Sequence, residues 1–561
     1  MAEPQLNKTF NYKTSIIIVL LALAVLALSL LLWYMPGFFT YQDENAVLIW
    51  NDKAFANGEL LFKQNEPYLS VNTIKSTFDP NIHWDPEEKQ LIITTADKVV
   101  RMHTEKLTVS VNNKPLQLEF PVLLVQGEPY VQLKPLKKIY NLNLAVCPKE
   151  NRAVLLTSGK PLQKAVITKE TILRTGPGLR HQRLTKLPIG TEVTIFSEVN
   201  GWYHVLSNGQ LGYVQEDPVN LRNIELVPQG IDNSSYIKPK IQGKINFTWE
   251  QVSKVTPDTS RITPPPGVNV VSPTWFYLKD SEGTVGNRAD GAYVRWAHSK
   301  GYQVWALFSN DFNPEKTHNI LRSAALRQKV INQLLMFAEL YELNGINLDF
   351  ENVYLEDKDL LVQFVRELTP LFHEQGLTVS MDVTVKSNSA NWSLFYNRKA
   401  LGEAVDYIML MAYDEHWSTS PKAGSVASLP WVEKGIRGLL EEVPREKLVL
   451  GIPFYTRLWE EKRDDTGKIT VSSRIFNMDT AKGWVKQNGL TPKIDASSGQ
   501  NFAQLQQNGS TFKIWLEDEH SVRQRLALVD KYGLAGVASW RRGYEEPRIW
   551  EIIAENLKKT R

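Results

Sequence analysis

The sequence predicts a multidomain chain: a transmembrane helix, then a duplicated small α+β domain, a small β-barrel domain and a C-terminal (β/α)8 barrel. Three observations support this prediction. The chain has 561 residues, which is more than one domain normally holds. A run of about twenty uncharged residues lies near the N-terminus. The C-terminal region, residues 242–561, alternates apolar runs with amphipathic stretches, as a barrel of strands and helices requires.

Composition excludes several classes of protein before any motif is considered. The 64 Lys and Arg residues nearly balance the 61 Asp and Glu residues, so no nucleic-acid partner is expected. The single cysteine, Cys147, cannot form an intramolecular disulfide or a cysteine-based zinc cluster. The nine histidines show no metal-ligand spacing such as H-E-x-x-H, so we expect neither a metal nor a cofactor.

Residues 15–34 read SIIIVLLALAVLALSLLLWY, which is long enough to cross a bilayer as a helix. Lys8 and Lys13 precede the run and Asp43 follows it, so the positive-inside rule places the N-terminus in the cytoplasm. A cleaved signal peptide is the alternative, but its apolar core is usually about 7–15 residues long and no A-x-A site follows here. We expect a single-pass cell-membrane protein with a cytoplasmic tail, residues 1–14, and most of the chain outside the cell.

Residues 45–160 contain a repeat of about 62 residues. The tetrapeptide E-P-Y-L at 66–69 recurs as E-P-Y-V at 128–131, and each copy continues with a helical stretch, a charged turn and an apolar strand. The arrangement resembles the copper amine oxidase N-terminal-like domain of bacterial envelope proteins. His83 and His103 stand alone in the sequence, so no copper site is expected and we interpret the domain as a spacer or wall-contacting module.

Residues 163–220 are rich in turns and short alternating strands. The sequence Gly201-Trp202-Tyr203 opens one strand, and Asn208-Gly209 is a hairpin signal. The order of these pieces resembles a bacterial SH3 domain, which implies binding to cell-wall peptides or polymers. A purely structural barrel is the alternative, because Trp202 is as consistent with a core position as with a ligand contact. A linker, residues 221–241, follows.

Eight apolar runs after residue 242 are the candidate barrel strands: KINFTW, GVNVVSPTWFYL, GYQVWALFS, GINLDFENV, LTVSMDVTV, VDYIMLMAYD, KLVLGIPFY and AGVASW. Most are separated by amphipathic segments, as in a TIM barrel. The active site of that fold lies at the C-terminal ends of the strands.

The fourth of these strands carries the clearest chemical signal. Side chains alternate along a strand, so Asn347, Asp349 and Glu351 share one face while the apolar residues between them share the other. The polar row must then point into the barrel. Two carboxylates about 7 Å apart along a buried strand are costly unless they are used, and burial beside like charge makes one of them a proton donor near neutral pH. The alternative is a polar strand end in a loop mouth.

Four motifs in chain order resemble glycoside hydrolase family 18, the chitinase-like enzymes. Residues 344–351, N-G-I-N-L-D-F-E, resemble its D-G-x-D-x-D-x-E signature. Residues 411–414 resemble M-x-Y-D, and residues 451–455 resemble G-[IL]-P-x-Y. Trp540 stands where the family keeps a Trp beneath the sugar. The resemblance spans 242–561 and implies an O-glycosyl hydrolase, an N-acetylglucosaminidase or chitinase-like enzyme.

The resemblance also implies a mechanism that retains configuration and replaces the second carboxylate with the 2-acetamido group of the substrate. Glu351 would protonate the glycosidic oxygen and then act as base for water. Asp349 would hold the acetamido N–H, and Tyr413 would hydrogen-bond the acetamido oxygen. Asp414 would contact the sugar, and Trp540 would form an apolar floor under it.

The sequence departs from the family pattern in two places. Asn344 and Asn347 replace the first two Asp residues of the signature, and residues 306–310 in the third strand lack the S-x-G-G of typical chitinases. Asn347 can hydrogen-bond Asp349 but cannot take up a proton, which leaves the pH profile open. Asn310 and Asn347 resemble a subgroup of spore- and wall-associated N-acetylglucosaminidases.

Further substrate contacts are expected at other strand ends. These predicted contacts are Asn310, Asn347, Asp382 and Tyr455. Trp275 and Trp459 either line the cleft or fill the core, because barrel tryptophans do both. About seventy residues separate the seventh and eighth strands, which leaves room for only a reduced insertion.

The combined pattern predicts a membrane-anchored glycosidase that cleaves N-acetylglucosaminyl linkages of peptidoglycan, in the cell wall or spore cortex. The expected partners are peptidoglycan or another N-acetylglucosamine polymer and, through residues 15–34, the lipid bilayer. A chitinase or chito-oligosaccharide hydrolase is one alternative. A non-catalytic glycan-binding protein is another, although such barrels generally lose the acid that stands here as Glu351.

Overall fold

A computed structural model describes most of the chain after residue 45. The described residues are 46–55, 59–104, 108–117, 122–140, 142–228, 241, 243–463, 465 and 467–559. The predicted transmembrane helix at 15–34, the tail before it and most of the predicted linker lie outside them. No helix within the described ranges is long and apolar enough to cross a membrane.

The chain divides into two compact units, and it passes between them more than once. One unit contains Met1–Thr73 and Leu123–Asp232, and the other contains Ile74–Val122 and Asn233–Arg561. The elements up to residue 157 are, in chain order, β1 (Val47–Trp50), β2 (Lys53–Phe55), β3 (Leu60–Lys63), β4 (Glu66–Ser70), α1 (Val71–Thr77), β5 (His83–Asp85), β6 (Gln90–Thr94), β7 (Val99–His103), β8 (Thr108–Val111), β9 (Lys114–Gln117), β10 (Leu123–Val125), β11 (Glu128–Gln132), α2 (Leu133–Ile139), β12 (Leu142–Cys147) and β13 (Arg152–Thr157).

The predicted repeat is visible as two strand–helix units. β4 leads into α1 and β11 leads into α2, as the matching E-P-Y motifs predict. The two motif strands pair antiparallel with each other, with Leu69 opposite Val131. The pairing explains why both copies keep an apolar residue after Tyr, since both positions are buried in the same sheet.

The second small domain is a seven-stranded antiparallel sheet. Its strands are β14 (Pro161–Ile167), β15 (Thr171–Arg174), β16 (Arg183–Leu187), β17 (Glu192–Val199), β18 (Trp202–Ser207), β19 (Gln210–Gln215) and β20 (Val219–Leu226). Asn208 and Gly209 both have positive φ and join β18 to β19, which confirms the predicted hairpin. Trp202 is buried, as the core interpretation of this residue requires.

The barrel region contains the remaining elements. They are β21 (Ile245–Glu250), β22 (Val270–Pro273), β23 (Phe276–Leu278), β24 (Val285–Asn287), α3 (Gly291–Ser299), β25 (Gln303–Ser309), α4 (Pro314–Arg322), α5 (Ala324–Leu340), β26 (Gly345–Asp349), α6 (Lys358–Glu374), β27 (Thr378–Thr384), α7 (Arg398–Ala404), β28 (Tyr407–Met411), α8 (Leu429–Leu440), β29 (Leu448–Pro453), β30 (Tyr455–Arg463), β31 (Ile469–Asn477), α9 (Met478–Gln487), β32 (Lys493–Asp495), β33 (Gln500–Gln507), β34 (Ser510–Trp515), α10 (Glu519–Tyr532), β35 (Gly536–Trp540) and α11 (Arg548–Lys559).

Eight parallel strands close into a barrel, which confirms the predicted fold of this region. In chain order they are β21, β22, β25, β26, β27, β28, β29 and β35, hereafter the first to eighth barrel strands. Pairing of the second strand with the third, Val270 opposite Gln303, completes the ring. The predicted second strand is two strands in the structure, because residues 276–278 form β23, which pairs with β25 and, in a hairpin, with β24.

The barrel strands separate two apolar layers. Inward-facing residues such as Phe247, Trp305 and Met409 form a cluster inside the barrel. Outward-facing residues such as Ile346 and Leu348 pack beneath the helices in the larger core. This arrangement confirms the face assignment made from alternation in the fourth strand.

The segment between the seventh and eighth strands forms a five-stranded sheet, β30 to β34, with α9 packed on it. Trp459 in β30 is fully buried, and its indole N–H donates to the Gly424 carbonyl at 2.8 Å. Trp275 is also fully buried, against Tyr293. Both tryptophans are therefore core residues, and the alternative that they line the cleft is wrong.

The sheet β5–β9 belongs to the same compact unit as the barrel and packs on its outer helices. Ile92 and Val99 join the core beneath those helices. Arg101 donates to Glu367 of α6 at 2.6 Å, and Asp85 accepts from the Ala324 backbone at the start of α5. An acidic side chain at a helix N-terminus satisfies a free N–H and favours the helix dipole. Part of the predicted spacer module is thus built onto the barrel.

Candidate active site

The polar row of the fourth strand lies inside the barrel, and its first member is completely buried. Asn347 accepts a hydrogen bond from the Trp249 indole N–H at 3.0 Å. Its amide donates to Asp382 Oδ1 at 2.8 Å and to Ser380 Oγ at 3.1 Å. Because both ends of the amide are used within the protein, Asn347 positions its neighbours. The contact of Asn347 with a substrate stays a prediction.

Asn310, which follows the third strand, also holds a neighbouring residue in place by hydrogen bonds. Its side chain donates to the Glu351 carbonyl at 2.7 Å and accepts from the Glu351 backbone N–H at 3.0 Å. It is almost fully buried and also donates to Thr317. The two bonds fix the backbone of Glu351, which gives Asn310 a positioning role. The contact of Asn310 with a substrate stays a prediction.

Three carboxyl groups, those of Asp349, Glu351 and Asp382, lie close together at this end of the barrel. Leu348 pairs with Met381 across the fourth and fifth strands, and Asp349 and Asp382 follow these residues. Asp382 is only 1% exposed, and its contact with a substrate stays a prediction. One oxygen of Asp349, Oδ1, is buried without a hydrogen-bond partner among the described residues. A buried acceptor without a donor is uncommon in folded proteins, which marks Asp349 as a candidate functional residue.

The electrostatics of these carboxyl groups follow from burial without a compensating cation. Burial raises the pKa of Asp349 to about 7. Burial, with Asp349 and then Asp414 as like-charged neighbours, raises the pKa of Glu351 well above its ordinary value. Burial and Asp349 also raise the pKa of Asp382, against the opposing effect of the Asn347 amide. A carboxyl group held neutral in this way can donate a proton near neutral pH.

The sixth and seventh strands contribute a tyrosine pair and a second acidic site. Tyr455 OH donates to Asp414 Oδ1 at 2.5 Å, and the rings of Tyr413 and Tyr455 lie 6.3 Å apart. Asp414 has a left-handed backbone with φ of 61°. Strain of this kind in a non-glycine residue is typical of functional positions. Tyr455 thus orients Asp414, and the contact of Tyr455 with a substrate stays a prediction.

Arg457 is a residue that the sequence reasoning missed. Burial raises the pKa of Asp414, and the hydrogen bond from Tyr455 and the Arg457 charge oppose that rise. The Nε atom of Arg457 is buried without a hydrogen-bond partner among the described residues. The signal was present in the sequence, because Tyr455 and Arg457 are two residues apart and share one face of β30.

Aromatic side chains complete the pocket. Trp540 ends the eighth strand half-buried, and it packs edge-on against Trp249 with ring centroids 5.8 Å apart. Tyr396, which the sequence reasoning also missed, is buried and donates to the Phe350 carbonyl at 2.7 Å beside the acid. Two exposed rings, Phe312 and Trp392, lie in the loops after the third and fifth strands.

The site thus contains two neighbouring carboxyl groups, Asp349 and Glu351, whose pKa values are raised by burial. It brings together the predicted residues Glu351, Asp349, Tyr413, Asp414 and Trp540 at one end of the barrel. Within the described part of the chain, no group of three or more His, Cys, Asp or Glu side chains is arranged to hold a metal ion. The arrangement suits proton transfer to a sugar held against an aromatic surface.

Three family models match the chain in the order that the folds suggest. Residues 50–155 match the copper amine oxidase N-terminal domain, and residues 169–219 match the bacterial SH3 domain. Residues 275–545 match glycosyl hydrolases family 18. The last match includes every polar residue of the site described above except those of the first strand.

Two of the similar proteins come from Bacillus species. The uncharacterized glycosylase YvbX of Bacillus subtilis (strain 168) is 25% identical over 303 residues, covering 52% of this chain and 85% of that protein. The cortical fragment-lytic enzyme of Bacillus anthracis is 24% identical over 257 residues, covering 45% of this chain. This match spans 59% of the length of that enzyme, so the chain covers less than two thirds of it.

A solved structure supports the fold. The spore cortex-lytic enzyme SleL of Bacillus megaterium QM B1551 has a TM-score of 0.51 and 18% sequence identity, covering 66% of this chain and 89% of that one. At this identity the likeness concerns the fold alone. The family matches and the barrel geometry agree, and the chain is an O-glycosyl hydrolase that carries a glycosyl hydrolases family 18 domain together with a bacterial SH3 domain and a copper amine oxidase N-terminal domain.

Proposed function

We propose that this protein is a membrane-anchored glycosidase that cleaves N-acetylglucosaminyl linkages of bacterial peptidoglycan by a retaining, substrate-assisted mechanism. One observation carries the proposal. Glu351 lies at the barrel mouth with a strongly raised pKa, two residues from Asp349, which has a free buried acceptor. A proton donor and a hydrogen-bond acceptor at this spacing fit a sugar that carries an N–H next to the cleaved bond.

In the first step, the protonated Glu351 donates its proton to the glycosidic oxygen and the bond to the leaving sugar breaks. The acetamido carbonyl oxygen of the substrate attacks the anomeric carbon, and a cyclic cation forms. Asp349 accepts a hydrogen bond from the acetamido N–H and balances the positive charge. Tyr413 donates a hydrogen bond to the acetamido oxygen and aligns it for attack.

In the second step, Glu351 accepts a proton from a water molecule that attacks the anomeric carbon. The carbon returns to its original configuration, and the acetamido group is restored. Asn310 supports both steps, because it fixes the Glu351 backbone on the N–H and carbonyl sides. Trp540 provides the apolar surface under the sugar.

The choice of peptidoglycan is supported by the relatives and by the accessory domains. One relative is named as a cortical fragment-lytic enzyme, and spore cortex is a form of peptidoglycan. The SH3 domain would hold the wall polymer or its peptides near the barrel. The apolar run at 15–34 would anchor the chain in the cell membrane with the catalytic region outside.

The test compares full-length wild type with Glu351→Gln on purified peptidoglycan, with the released fragments identified by mass spectrometry. Loss of a general acid typically lowers the rate by about two to four orders of magnitude. Glu339→Gln is the matched control, because it makes the same change at an exposed position on α5. Equal product release by wild type and Glu351→Gln would refute the proposal.

The same assay separates the competing functions. Faster cleavage of chitin oligomers than of glycan strands would identify a chitinase-like enzyme. Tight binding of glycan strands by wild type without any fragment release would identify a binding protein. The proposal predicts new reducing ends at N-acetylglucosamine residues.

A further inference from the structure

The chain that follows the sixth strand turns back on itself directly after Asp414. The Glu415 backbone N–H donates to the Val426 carbonyl at 2.9 Å, and Glu415 Oε2 accepts from the Ser428 backbone N–H at 2.8 Å. These two bonds join the residue after Asp414 to residues 424–428, hereafter the return segment. The position of Asp414 therefore depends on the position of the return segment.

The return segment is bonded to residues that lie far along the chain. The Ser425 hydroxyl donates to the side-chain oxygen of Gln500 in β33 and accepts from the Ala427 backbone N–H at 2.9 Å. Arg525 of α10 donates to the Ala427 carbonyl at 2.5 Å. All four residues are at most 4% exposed, so a break in these bonds leaves a buried polar group without a partner.

A single carboxylate organises both of these contacts. Glu517 accepts two parallel hydrogen bonds from the Arg525 guanidinium, at 2.5 and 2.8 Å. It also accepts from the Gln500 amide at 2.9 Å and from the Ser521 hydroxyl at 2.8 Å. Because the bidentate pair has a fixed geometry, Glu517 sets the positions of both groups that bind the return segment. Glu517, Gln500 and Arg525 are hereafter the Glu517 cluster.

The same part of the chain also supports Tyr455, which donates to Asp414. The Thr456 hydroxyl donates to the Trp515 carbonyl at 2.5 Å, two residues before Glu517. Burial, then the charge of Asp414 and, to a smaller extent, that of Glu517 raise the pKa of Tyr455 well above its ordinary value. Asp414 is therefore connected to the Glu517 cluster both through its own loop and through Tyr455.

The backbone of Asp414 has a conformation that requires such support. Its φ of 61° is left-handed, and a non-glycine residue keeps this conformation only when the surrounding structure fixes it. From this arrangement we infer that the Glu517 cluster is a set of positioning residues for the reaction. It holds Asp414 and Tyr413 in the orientation that receives the acetamido sugar. The inference rests on the proposed function, in which Tyr413 aligns the acetamido group.

Replacement of Glu517 itself would not test the inference. Glu517→Gln leaves Arg525 buried without its carboxylate, and loss of one partner of a buried ion pair destabilises the whole fold. Two buried serine hydroxyls allow a sharper comparison. Ser425 lies in the return segment, whereas Ser521 bonds Glu517 from within α10. Alanine at either position removes one hydroxyl from a residue that is at most 4% exposed.

The test measures steady-state hydrolysis of a glycan-strand oligomer by the full-length chain. Ser425→Ala lowers kcat by about five- to tenfold, the effect of about one lost hydrogen bond, and changes KM less than twofold. Ser521→Ala changes both constants less than twofold, because Arg525 and Gln500 still hold Glu517. The thermal unfolding midpoint falls by a similar amount in both variants. Equal losses of kcat in the two variants, or no loss in Ser425→Ala, would overturn the inference.

A double-mutant comparison determines whether the effect passes through Asp414. In an Asp414→Asn background, Ser425→Ala lowers kcat by less than a further factor of two, because the positioned group has already lost its function. A purely structural role of Ser425 predicts the same factor in both backgrounds, and that result would also overturn the inference.

A wild type that does not hydrolyse the oligomer would refute the proposed function and leave the positioning role testable. Hydrogen–deuterium exchange at the Glu415 backbone N–H, which donates to the return segment, then provides the measurement. The exchange rate rises at least fivefold in Ser425→Ala and stays within twofold of wild type in Ser521→Ala. Identical exchange rates in the two variants would contradict the positioning role independently of any activity.

Discussion

The barrel mouth and the outer helical flank of the same compact unit both bury carboxyl groups, and they do so in opposite ways. On the flank, Glu367 lies between Arg101 and Arg327, at 2.6 and 2.9 Å. These cations outweigh burial and lower the pKa of Glu367 to about 2. At the mouth, Asp349 and Glu351 have no salt-bridge partner among the described residues, and their pKa values rise.

The comparison shows that one fold contains two kinds of buried carboxyl group, one that stabilises the structure and one that can transfer a proton. A carboxylate with two arginines is permanently ionised and holds elements together. A carboxyl group that is buried without a cation has a pKa close to neutral pH, so it can release and take up a proton there. Burial alone therefore does not identify a catalytic acid, because the identity of the neighbours decides the direction of the pKa shift.

The largest predicted effect concerns activity at the mouth. Glu351→Gln lowers turnover by about two to four orders of magnitude, because an amide cannot protonate the leaving oxygen. Its thermal unfolding midpoint stays equal to or above that of wild type, because the change removes a buried group that is costly to ionise. Turnover assays with differential scanning calorimetry check both parts. A large fall in the midpoint would show that Glu351 is a structural residue like Glu367.

The converse change on the flank affects stability first. Glu367→Gln leaves Arg101 and Arg327 buried without their carboxylate and costs about 3–5 kcal/mol of unfolding free energy. The folded fraction keeps its turnover number, because the ion pair is remote from the chemistry. Denaturant unfolding and active-site titration provide the measurements. Unchanged stability would contradict the structural role.

The two sites also predict opposite pH dependences of stability. The pKa of Glu367 falls from 4.5 to about 2, so its contribution is present above about pH 4.5 and is lost as the pH falls towards 2. The pKa of Asp349 rises from 3.8 to about 7, so its contribution is present below about pH 4 and is lost as the pH rises through 7.

Denaturant unfolding from pH 3 to pH 8 of wild type, Glu367→Gln and Asp349→Asn resolves the two contributions. Glu367→Gln flattens the decline at low pH, and Asp349→Asn flattens the decline between about pH 4 and pH 7. Parallel curves for all three proteins would show that neither carboxyl group has the assigned pKa direction.

The smallest predicted effect lies at the second acidic site of the mouth. Tyr455→Phe removes the hydrogen bond to Asp414 and allows the pKa of Asp414 to rise further. Loss of one such bond lowers kcat/KM by about three- to tenfold. A pH series of kcat/KM measures the change, and the decline on the acidic side shifts to higher pH. An unaltered pH series would mean that Arg457 alone controls Asp414.

The sequence allowed the barrel, its eight strands and the acidic row to be predicted, because alternation and strand spacing are local signals. The directions of Asn347, Asp349 and Glu351 followed from the period of two. The roles of Asn310 and Asn347 could not be predicted in this way, since each depends on a partner tens of residues distant on another strand. Trp275 and Trp459 were ambiguous, because a tryptophan in an apolar run gives the same pattern whether its ring fills the core or lines a cleft.

The membership of β5–β9 in the barrel unit was equally invisible in the sequence. Arg101 and Glu367 are 266 positions apart, and neither lies in a motif. The repeat pattern grouped residues 45–160 as one module. A repeat shows that two segments are similar in sequence, but it does not show on which surface each segment packs. Only the tertiary contacts of Arg101, Asp85 and Glu88 show that the first copy also caps barrel helices.

The docked sheet has a consequence for how the protein is made. Residues 83–117 leave the ribosome long before the helices on which they pack, since Glu367 is synthesised 266 residues after Arg101. Until the SH3 domain and half of the barrel have been translated, these strands lack their packing partners, so Arg101 is unpaired and the apolar face is exposed. A fragment that begins at the linker near residue 241 would lack the sheet β5–β9, and the helices on which that sheet packs would be exposed. This early segment therefore affects both the need for chaperones during synthesis and the choice of fragment boundaries.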